Sequence, residues 1–276
     1  MTNQSTMAIV LRTVDFSETS LIVTLLTKDL GRISALAKGA RRLKGPFEGS
    51  LDLLSVCAIT LIDKPGDTLD LLTESKLRRR FRGAQRSLER LHAGYYIAEM
   101  LRLLVDDDDP HRELFDMTLS AMGMIDGEGH VAKTLLAFDA QCLRLLGHSP
   151  ATQRCTVCGR DAERSRRRAS FSLVGGGVVC ENCRPSQSHL MTASWDALDA
   201  LRELASEPEL PPSTIDADTN NPSQPPSTAF PIGRLFPAMT PAIYRDLRGL
   251  LNRTLESLVG QTPRMQPFLP DKLDSL

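Results

Sequence analysis

Four cysteines in the second half of the chain are spaced as metal ligands. Cys155 and Cys158 form one CxxC pair, Cys180 and Cys183 form another, and residues 159–179 separate the two pairs. Two such turns can present four thiolates to one ion in a tetrahedral shell, which suits Zn²⁺. Because protein would fill every position of that shell, the spacing predicts a structural zinc site. A redox dithiol and a chance grouping of cysteines are the alternatives.

Basic residues form two clusters in the first third of the chain. The first spans a stretch with glycines and no acidic residue, and it contains Arg32, Lys38, Arg41, Arg42 and Lys44. The second has Glu89 as its single acid and contains Lys76, Arg78, Arg79, Arg80, Arg82, Arg86 and Arg90. Cations at this density indicate a surface that binds the phosphate backbone of nucleic acid, and a merely solvated surface is the alternative. Aromatic residues in the clusters are scarce, so we expect base stacking to contribute little.

The charge is divided unevenly along a chain whose formal net charge is only −1. Residues 1–90 contain 15 Lys and Arg against 10 Asp and Glu, a net of +5, whereas residues 91–276 contain 18 against 24, a net of −6. A basic front third in an otherwise acidic chain is typical of a polyanion-binding domain. No apolar run reaches the roughly 18–20 residues of a membrane helix, and the polar N-terminus has no secretory pattern. We therefore expect a cytoplasmic protein without a disulfide framework.

Hydrophobic patterning predicts strands first and helices second. Runs of branched apolar residues predict five strands at 8–16, 21–27, 32–37, 51–62 and 69–73, which is typical of a small barrel or sandwich. Apolar residues at helical spacing predict helices at 91–105, 114–125, 131–145, 194–205 and 243–258. Asp109 and Pro110 predict the cap and first turn of the second helix. This order indicates an α+β protein.

The chain resembles the RecO family of bacterial recombination mediators over nearly its whole length. The resemblance is carried by the strand region at residues 8–55, most specifically by LAKGARR at 36–42, by the CxxC insert with its glycine turn, and by TPRMQPFL at 262–269. It implies an OB-fold barrel at 1–76 and a helical domain at 77–276 that carries a zinc ribbon at 153–186. The Pro- and Ser-rich stretch 206–231 departs from the family pattern, and its composition predicts a flexible insert.

The resemblance also implies a non-catalytic role in DNA repair. Members of this family bind single- and double-stranded DNA, anneal complementary strands, work with RecR, and help RecA load onto DNA coated by single-strand-binding protein. Such a protein would associate with the nucleoid. The residues that we expect to contact DNA are Arg32, Lys38, Arg41, Arg42, Lys44, Arg78, Arg79, Arg80, Arg82 and Arg86.

A helical domain of this family also contacts the acidic C-terminal tail of single-strand-binding protein. An apolar groove with a few cations would suit such a tail, and the candidates on apolar-striped helices are Arg144, Arg245, Arg248 and Arg253. Two other functions stay open from the residues alone. One is a nucleic-acid-processing enzyme with an unrecognised metal-dependent site, for instance at the aspartate run 106–109, although no familiar catalytic motif is present. The other is a basic scaffold for an acidic protein partner.

Overall fold

The computed structural model describes residues 3–42, 45–47, 49–62, 69–164, 166–206, 239–270 and 272–273. These residues divide into two units, one at 3–128 and the other at 129–273. The family resemblance places the first boundary at 76/77, and that boundary stays a prediction. The insert predicted at 206–231, apart from Ser206, lies outside the described residues.

A closed five-stranded barrel begins the first unit. Its strands are β1 (Asn3–Asp15), β2 (Leu21–Thr27), β3 (Gly31–Ala37), β4 (Val56–Ile62) and β5 (Asp70–Arg79), arranged in the order β1-β2-β3-β5-β4. Neighbouring strands are antiparallel except β3 and β5, which are parallel. Alternate residues of β2 and β3, such as Val23, Leu25 and Ile33, point into the core. The five strands and their closure confirm the predicted OB-fold barrel.

Strand β1 closes the barrel because it pairs along both of its edges. Residues 3–9 pair with β4, and residues 8–15 pair with β2, so the two ladders overlap by only two residues. A β-bulge between Val10 and Arg12 bends the strand where it passes from one partner to the other.

Two strand boundaries differ from the sequence-based expectation. Strand β4 begins at Val56 rather than at residue 51, because Leu54 adopts a left-handed backbone conformation with φ of 62° in the preceding turn. Strand β5 continues to Arg79, where it still pairs with Val56, although we predicted helical structure from residue 77. The second basic cluster therefore starts on a strand.

Three helices complete the first unit: α1 (Gly83–Arg86), α2 (Leu88–Leu104) and α3 (Arg112–Asp126). The predicted start of α3 at Asp109 and Pro110 is wrong, because the helix begins at Arg112. Asp109 makes other contacts instead of capping the helix. Its backbone lies so close to Gly31 that a Cβ atom at residue 31 would collide with it, and its Oδ2 lies 2.9 Å from Nε2 of His111. Gly31 also has a φ of +77°, so both space and backbone conformation favour glycine at this position.

The described residues of the second unit form three α-helices and a small sheet. The helices are α4 (Val131–Leu145), α5 (Trp195–Leu204) and α6 (Pro241–Val259), and the strands are β6 (Arg168–Ser172), β7 (Gly177–Val179) and β8 (Leu190–Ser194) in the order β7-β6-β8. Ser194 and Thr240 cap α5 and α6 by accepting hydrogen bonds from backbone N–H groups. Strand β8 was not predicted. No helix in the described ranges is long and apolar enough to cross a bilayer.

A buried ion pair joins α4 to α6. Arg248 Nη2 lies 2.6 Å from Asp139 Oδ2, and the two side chains are 9% and 1% exposed. The same guanidinium donates from Nε to Asn252 Oδ1 at 2.7 Å. Because each charge compensates the other away from water, loss of either partner would leave a buried unpaired charge.

We expect Arg248→Ala to destabilise the second unit by about 3–5 kcal/mol, since it leaves Asp139 buried without its cation. Arg253→Ala is the matched control, because Arg253 is exposed on the same helix. We expect the control to change stability by less than about 0.5 kcal/mol. Urea unfolding followed by the fluorescence of Trp195, the single tryptophan of the chain, measures both variants. Equal unfolding midpoints for the two variants would contradict the structural role of the pair.

Candidate metal centre and nucleic-acid surface

Four cysteine sulfurs converge in the second unit. Cys155 and Cys158 lie in the turn before β6, and Cys180 and Cys183 follow β7. All four Sγ atoms lie within 4.8 Å of one another, and those of Cys158 and Cys180 are 3.7 Å apart. A tetrahedron with metal–sulfur bonds of about 2.3 Å has edges of about 3.8 Å. We call these residues the cysteine cluster, and its size and donor chemistry fit a metal ion bound by four sulfurs.

Backbone hydrogen bonds build the two turns that hold the cysteine cluster. In the first turn, Cys155 N–H donates to Arg160 O at 2.8 Å and Gly159 N–H donates to Cys155 O at 2.9 Å. Thr156 N–H donates to Val178 O at 3.0 Å, which ties this turn to β7. In the second turn, Cys183 N–H donates to Cys180 O at 3.1 Å. The glycine-turn hairpin between the pairs therefore brings the two turns together.

The thiols of the cluster differ in acidity because they share hydrogen bonds. Burial alone would raise the pKa of Cys155, but the backbone N–H groups of Cys180 and Cys158 stabilise its thiolate and lower the pKa to about 6. Hydrogen bonding with Cys180 is the main cause that raises the pKa of Cys183 to about 12. A thiolate at Cys155 thus also raises the pKa of Cys183 by charge repulsion. A bound cation would relieve this repulsion and could hold all four sulfurs as thiolates.

The remaining two cysteines are core residues of the two units. Cys57 lies inside the barrel and donates from Sγ to Ser50 O at 2.9 Å, and Cys142 lies on the buried face of α4. Burial raises the pKa of both thiols, that of Cys142 well above its ordinary value. Both cysteines are therefore small residues of the core.

We expect the two core thiols to resist alkylation in the folded protein. After treatment with a chelator, iodoacetamide should modify Cys158 and Cys180, which are exposed and half-exposed. Cys57 and Cys142 should react only after unfolding, because both thiols are buried and burial raises their pKa. Peptide mapping by mass spectrometry reads each site. Modification of the core thiols at the rate of Cys158 would contradict their burial.

The first basic cluster remains largely exposed at one end of the barrel. Lys38, Arg41 and Arg42 follow β3 directly, and all three side chains are exposed. We call residues 38–42 the basic loop. It is tied to the β1–β2 turn, because Arg41 N–H donates to Thr19 O at 3.0 Å and the Arg41 guanidinium lies 3.0 Å from Asp15. Lys44 lies outside the described residues.

Arg32 is separated from the basic loop by the length of β3 and has an acidic partner. Its Nη2 lies 3.1 Å from Asp107 Oδ1, and its side chain is only 22% exposed. The aspartate run therefore contributes one carboxylate to an ion pair with the barrel and a second, that of Asp109, to the contact with His111. Both contacts belong to the packing of the first unit.

Much of the second basic cluster makes contacts inside the first unit. Arg79 donates to Leu119 O at 3.3 Å, and burial is the main cause that lowers its pKa. Arg80 pairs with Asp52 at 2.8 Å, and Arg86 pairs with Glu128 at 2.7 Å. Arg90 donates to Ile125 O at 2.6 Å, at the C-terminal end of α3. These contacts attach the segment 79–90 to α3 and to the barrel. The side chains of Arg78 and Arg82 are exposed.

The four arginines expected to meet a protein tail occupy different environments. Arg245 and Arg253 are exposed on α6. Arg144 donates to Gln141 Oε1 at 2.9 Å. Arg248 is buried in the ion pair with Asp139. Arg245 lines a groove whose apolar wall includes Trp195 and Ile243. The remaining basic residues of this groove are Arg164, Arg167 and Arg168.

The aromatic residues within the basic clusters do not form a stacking surface. Phe47 is 4% exposed in the barrel core. Phe81 fits against Gly83 and Gly94, where added Cβ atoms would collide with its ring. Instead, Phe16 at the β1–β2 turn is 60% exposed. Phe16 was not identified from the sequence because it lies 22 positions before Lys38. Only the hairpin of β2 and β3 brings the turn that contains Phe16 close to the basic loop.

Comparison with known proteins gives one consistent family. The family profile described as Recombination protein O N terminal matches residues 1–81, and the one described as Recombination protein O C terminal matches residues 85–219. DNA repair protein RecO of Anaeromyxobacter dehalogenans (strain 2CP-C) is 32% identical over 217 residues, which cover 76% of this chain and 85% of the relative.

Two further relatives support the same relationship. DNA repair protein RecO of Roseiflexus sp. (strain RS-1) is 32% identical over 266 residues, covering 96% of this chain and 84% of the relative. DNA repair protein RecO of Myxococcus xanthus (strain DK1622) is 34% identical over 209 residues, covering 74% and 83% respectively. The similarity thus includes the barrel, the helices and the cysteine cluster.

Proposed function

Because this chain belongs to the RecO family, we propose that it acts in recombinational DNA repair as a non-catalytic mediator that binds single- and double-stranded DNA and anneals complementary strands. The observation that carries this proposal is the exposed basic loop at the end of an OB-fold barrel, a fold whose strand face and loops bind oligonucleotides in other proteins.

Annealing needs no acid or base in this proposal. Two complementary strands repel each other through their phosphates, and a surface that neutralises phosphates on both strands lowers that repulsion. Lys38, Arg41 and Arg42 supply such charges without burying them. The exposed Arg78 and Arg82 can add to the surface. Other arginines would have to exchange an existing partner for a phosphate, namely Arg32, Arg41, Arg79, Arg80 and Arg86.

The proposed partners follow from the family. We propose that the protein works with RecR in the cytoplasm, in association with the nucleoid, and promotes RecA loading indirectly by acting on DNA coated by single-strand-binding protein. The acidic tail of single-strand-binding protein would bind the helical domain. The groove beside Trp195 and Ile243 supports this part, since it combines apolar walls with Arg167 and Arg245. Its other two arginines, Arg164 and Arg168, already pair with Asp199 and Asp246.

We further propose that the cysteine cluster holds Zn²⁺ as a structural ion. Four sulfur donors at tetrahedral spacing suit zinc, and the ion would cross-link the two turns that flank the β6–β7 hairpin. Its role would be to stabilise the ribbon, because four protein ligands leave no position for a reacting molecule.

We expect freshly purified, reduced protein to contain about one zinc ion per chain. Cys158→Ser should lower the zinc content and the melting temperature, and it should weaken DNA binding much less, since metal binding and folding of the ribbon are coupled. Val157→Ala is the matched control, because Val157 is an exposed residue of the same turn with no ligand atom. Elemental analysis and thermal unfolding, with and without chelator, measure the effect. A reduced wild-type sample without zinc would refute the zinc assignment.

We expect DNA binding to weaken steeply with salt and to depend on the basic loop. Each neutralised phosphate contributes about −0.7 to −0.9 to the slope of log K against log salt concentration. The double variant Arg41→Ala/Arg42→Ala should therefore flatten the slope by up to about two units and weaken binding by similar factors on different sequences. Fluorescence anisotropy of labelled single- and double-stranded oligonucleotides across a salt series provides the measurement.

A second double variant tests whether paired arginines contribute. Arg80→Ala/Arg86→Ala removes the same charge, but both of its residues pair with an acid. In the first double variant Arg41 pairs with Asp15, whereas Arg42 is exposed with no acidic partner among the described residues, so the second variant should flatten the slope less. If the two double variants have equal effects, the second cluster contacts DNA as strongly as the basic loop. If wild-type protein binds no DNA at physiological salt, the basic surface serves a protein partner instead. Release of nucleotides in the presence of Mg²⁺ would favour the enzyme alternative.

A further inference from the structure

We infer that Phe16 is a base-stacking residue, which holds an unpaired nucleobase of single-stranded DNA beside the basic loop. The inference rests on the proposed DNA-binding function and adds a second kind of contact to the electrostatic one. Its starting point is the exposure of the ring: 60% of Phe16 is accessible at the start of the β1–β2 turn. Because single exposed apolar residues are common on protein surfaces, the inference depends on the neighbours of the ring.

The turn holds Phe16 in place. Phe16 N–H donates to Ser20 O at 3.0 Å, Ser17 N–H donates to the same oxygen at 3.3 Å, and Ser20 N–H donates to Ser17 Oγ at 3.2 Å. This closed set of bonds fixes the backbone that carries the ring. A ring on a fixed backbone loses little further conformational freedom when it stacks, so more of the stacking energy remains as affinity.

The surroundings of the turn suit a single strand. Its backbone is bonded to the basic loop, because Arg41 N–H donates to Thr19 O, so the turn that carries the ring and the exposed cations of the loop lie at the same end of the barrel. The outer face of β2 and β3 extends from this end, with the pairs Ile22–Leu36 and Thr24–Ser34 half-buried along it. Phosphates can thus meet cations while bases lie over apolar and hydroxyl-bearing side chains, the arrangement that single-strand-binding surfaces use.

Single-stranded DNA fits this surface better than duplex DNA does. A stacking ring needs access to the face of a base, and in a duplex the neighbouring base pairs cover both faces. The cations of the basic loop would attract the phosphates of either form. Phe16 therefore distinguishes the two forms, whereas the charges of the loop do not.

The test compares Phe16→Ala, Phe16→Tyr and a control, Leu88→Ala, in the full chain. Leu88 is a comparably exposed apolar residue of the same unit, at 65% exposure on α2. The probes are labelled oligothymidylate, an abasic strand of the same length, and a duplex. Loss of one stacked base costs about 1–3 kcal/mol, so Phe16→Ala should weaken binding of oligothymidylate about 5- to 150-fold.

The same variant should bind the abasic strand and the duplex nearly as wild type does, and its salt slope should be unchanged because no charge is removed. Phe16→Tyr should retain wild-type affinity since it keeps the aromatic face, and Leu88→Ala should have no effect. Unchanged affinity of Phe16→Ala for oligothymidylate would overturn the inference and leave the salt-dependent function intact. An equal loss on all three probes would also overturn it, by showing that the turn itself was disturbed. Wild-type protein that fails to bind any probe would remove both proposals.

Discussion

Closure of the barrel through strand β1 is the constraint on which the first unit depends. One strand must satisfy β4 on one edge and β2 on the other, and the bulge at Val10 and Arg12 bends it between these partners. Once β1 is fixed, the alternation of β2 and β3 decides which side chains fill the core. The antiparallel pairing of β2 with β3, in which Leu21 lies opposite Ala37, brings the turn after β1 and the loop after β3 to one end of the barrel. The candidate DNA surface is therefore a consequence of how these two strands pair.

The second unit has to compensate charges that lie close together or away from water. In the cysteine cluster, four sulfurs within 4.8 Å of one another resist simultaneous ionisation, and only a cation removes that penalty. Between α4 and α6, Asp139 and Arg248 solve the same electrostatic problem internally by pairing at 2.6 Å. The second solution needs no ligand, which explains why an arginine on an apolar-striped helix is unavailable to a partner.

Local patterns were sufficient to predict most elements, and their failures have physical causes. Branched apolar runs located all five barrel strands, and helical spacing located α4 at its observed bounds, Val131–Leu145. The extension of β5 to Arg79 was missed because pairing with β4, rather than local preference, keeps an arginine-rich stretch extended. The predicted start of α3 was wrong because Asp109 contacts Gly31, which lies 78 positions away in the sequence. A local pattern does not reveal such a contact. The spacing of the cysteines was sufficient to predict that their sulfurs come together, since each CxxC pair is a local motif and a short hairpin joins the two pairs.

Charge density along the sequence overstates the number of cations available to a polyanion. Arg86 and Arg90 donate to backbone carbonyls at the C-terminal end of α3, where cations also interact favourably with the helix dipole. If such an arginine turned towards a phosphate, those carbonyls would lose their donors, and part of the binding energy would be spent on disturbing α3. Lys38 and Arg42 sit on an exposed loop and can meet a phosphate without that penalty. The first unit thus separates the arginines that contact its helices from the exposed cations of the proposed DNA surface.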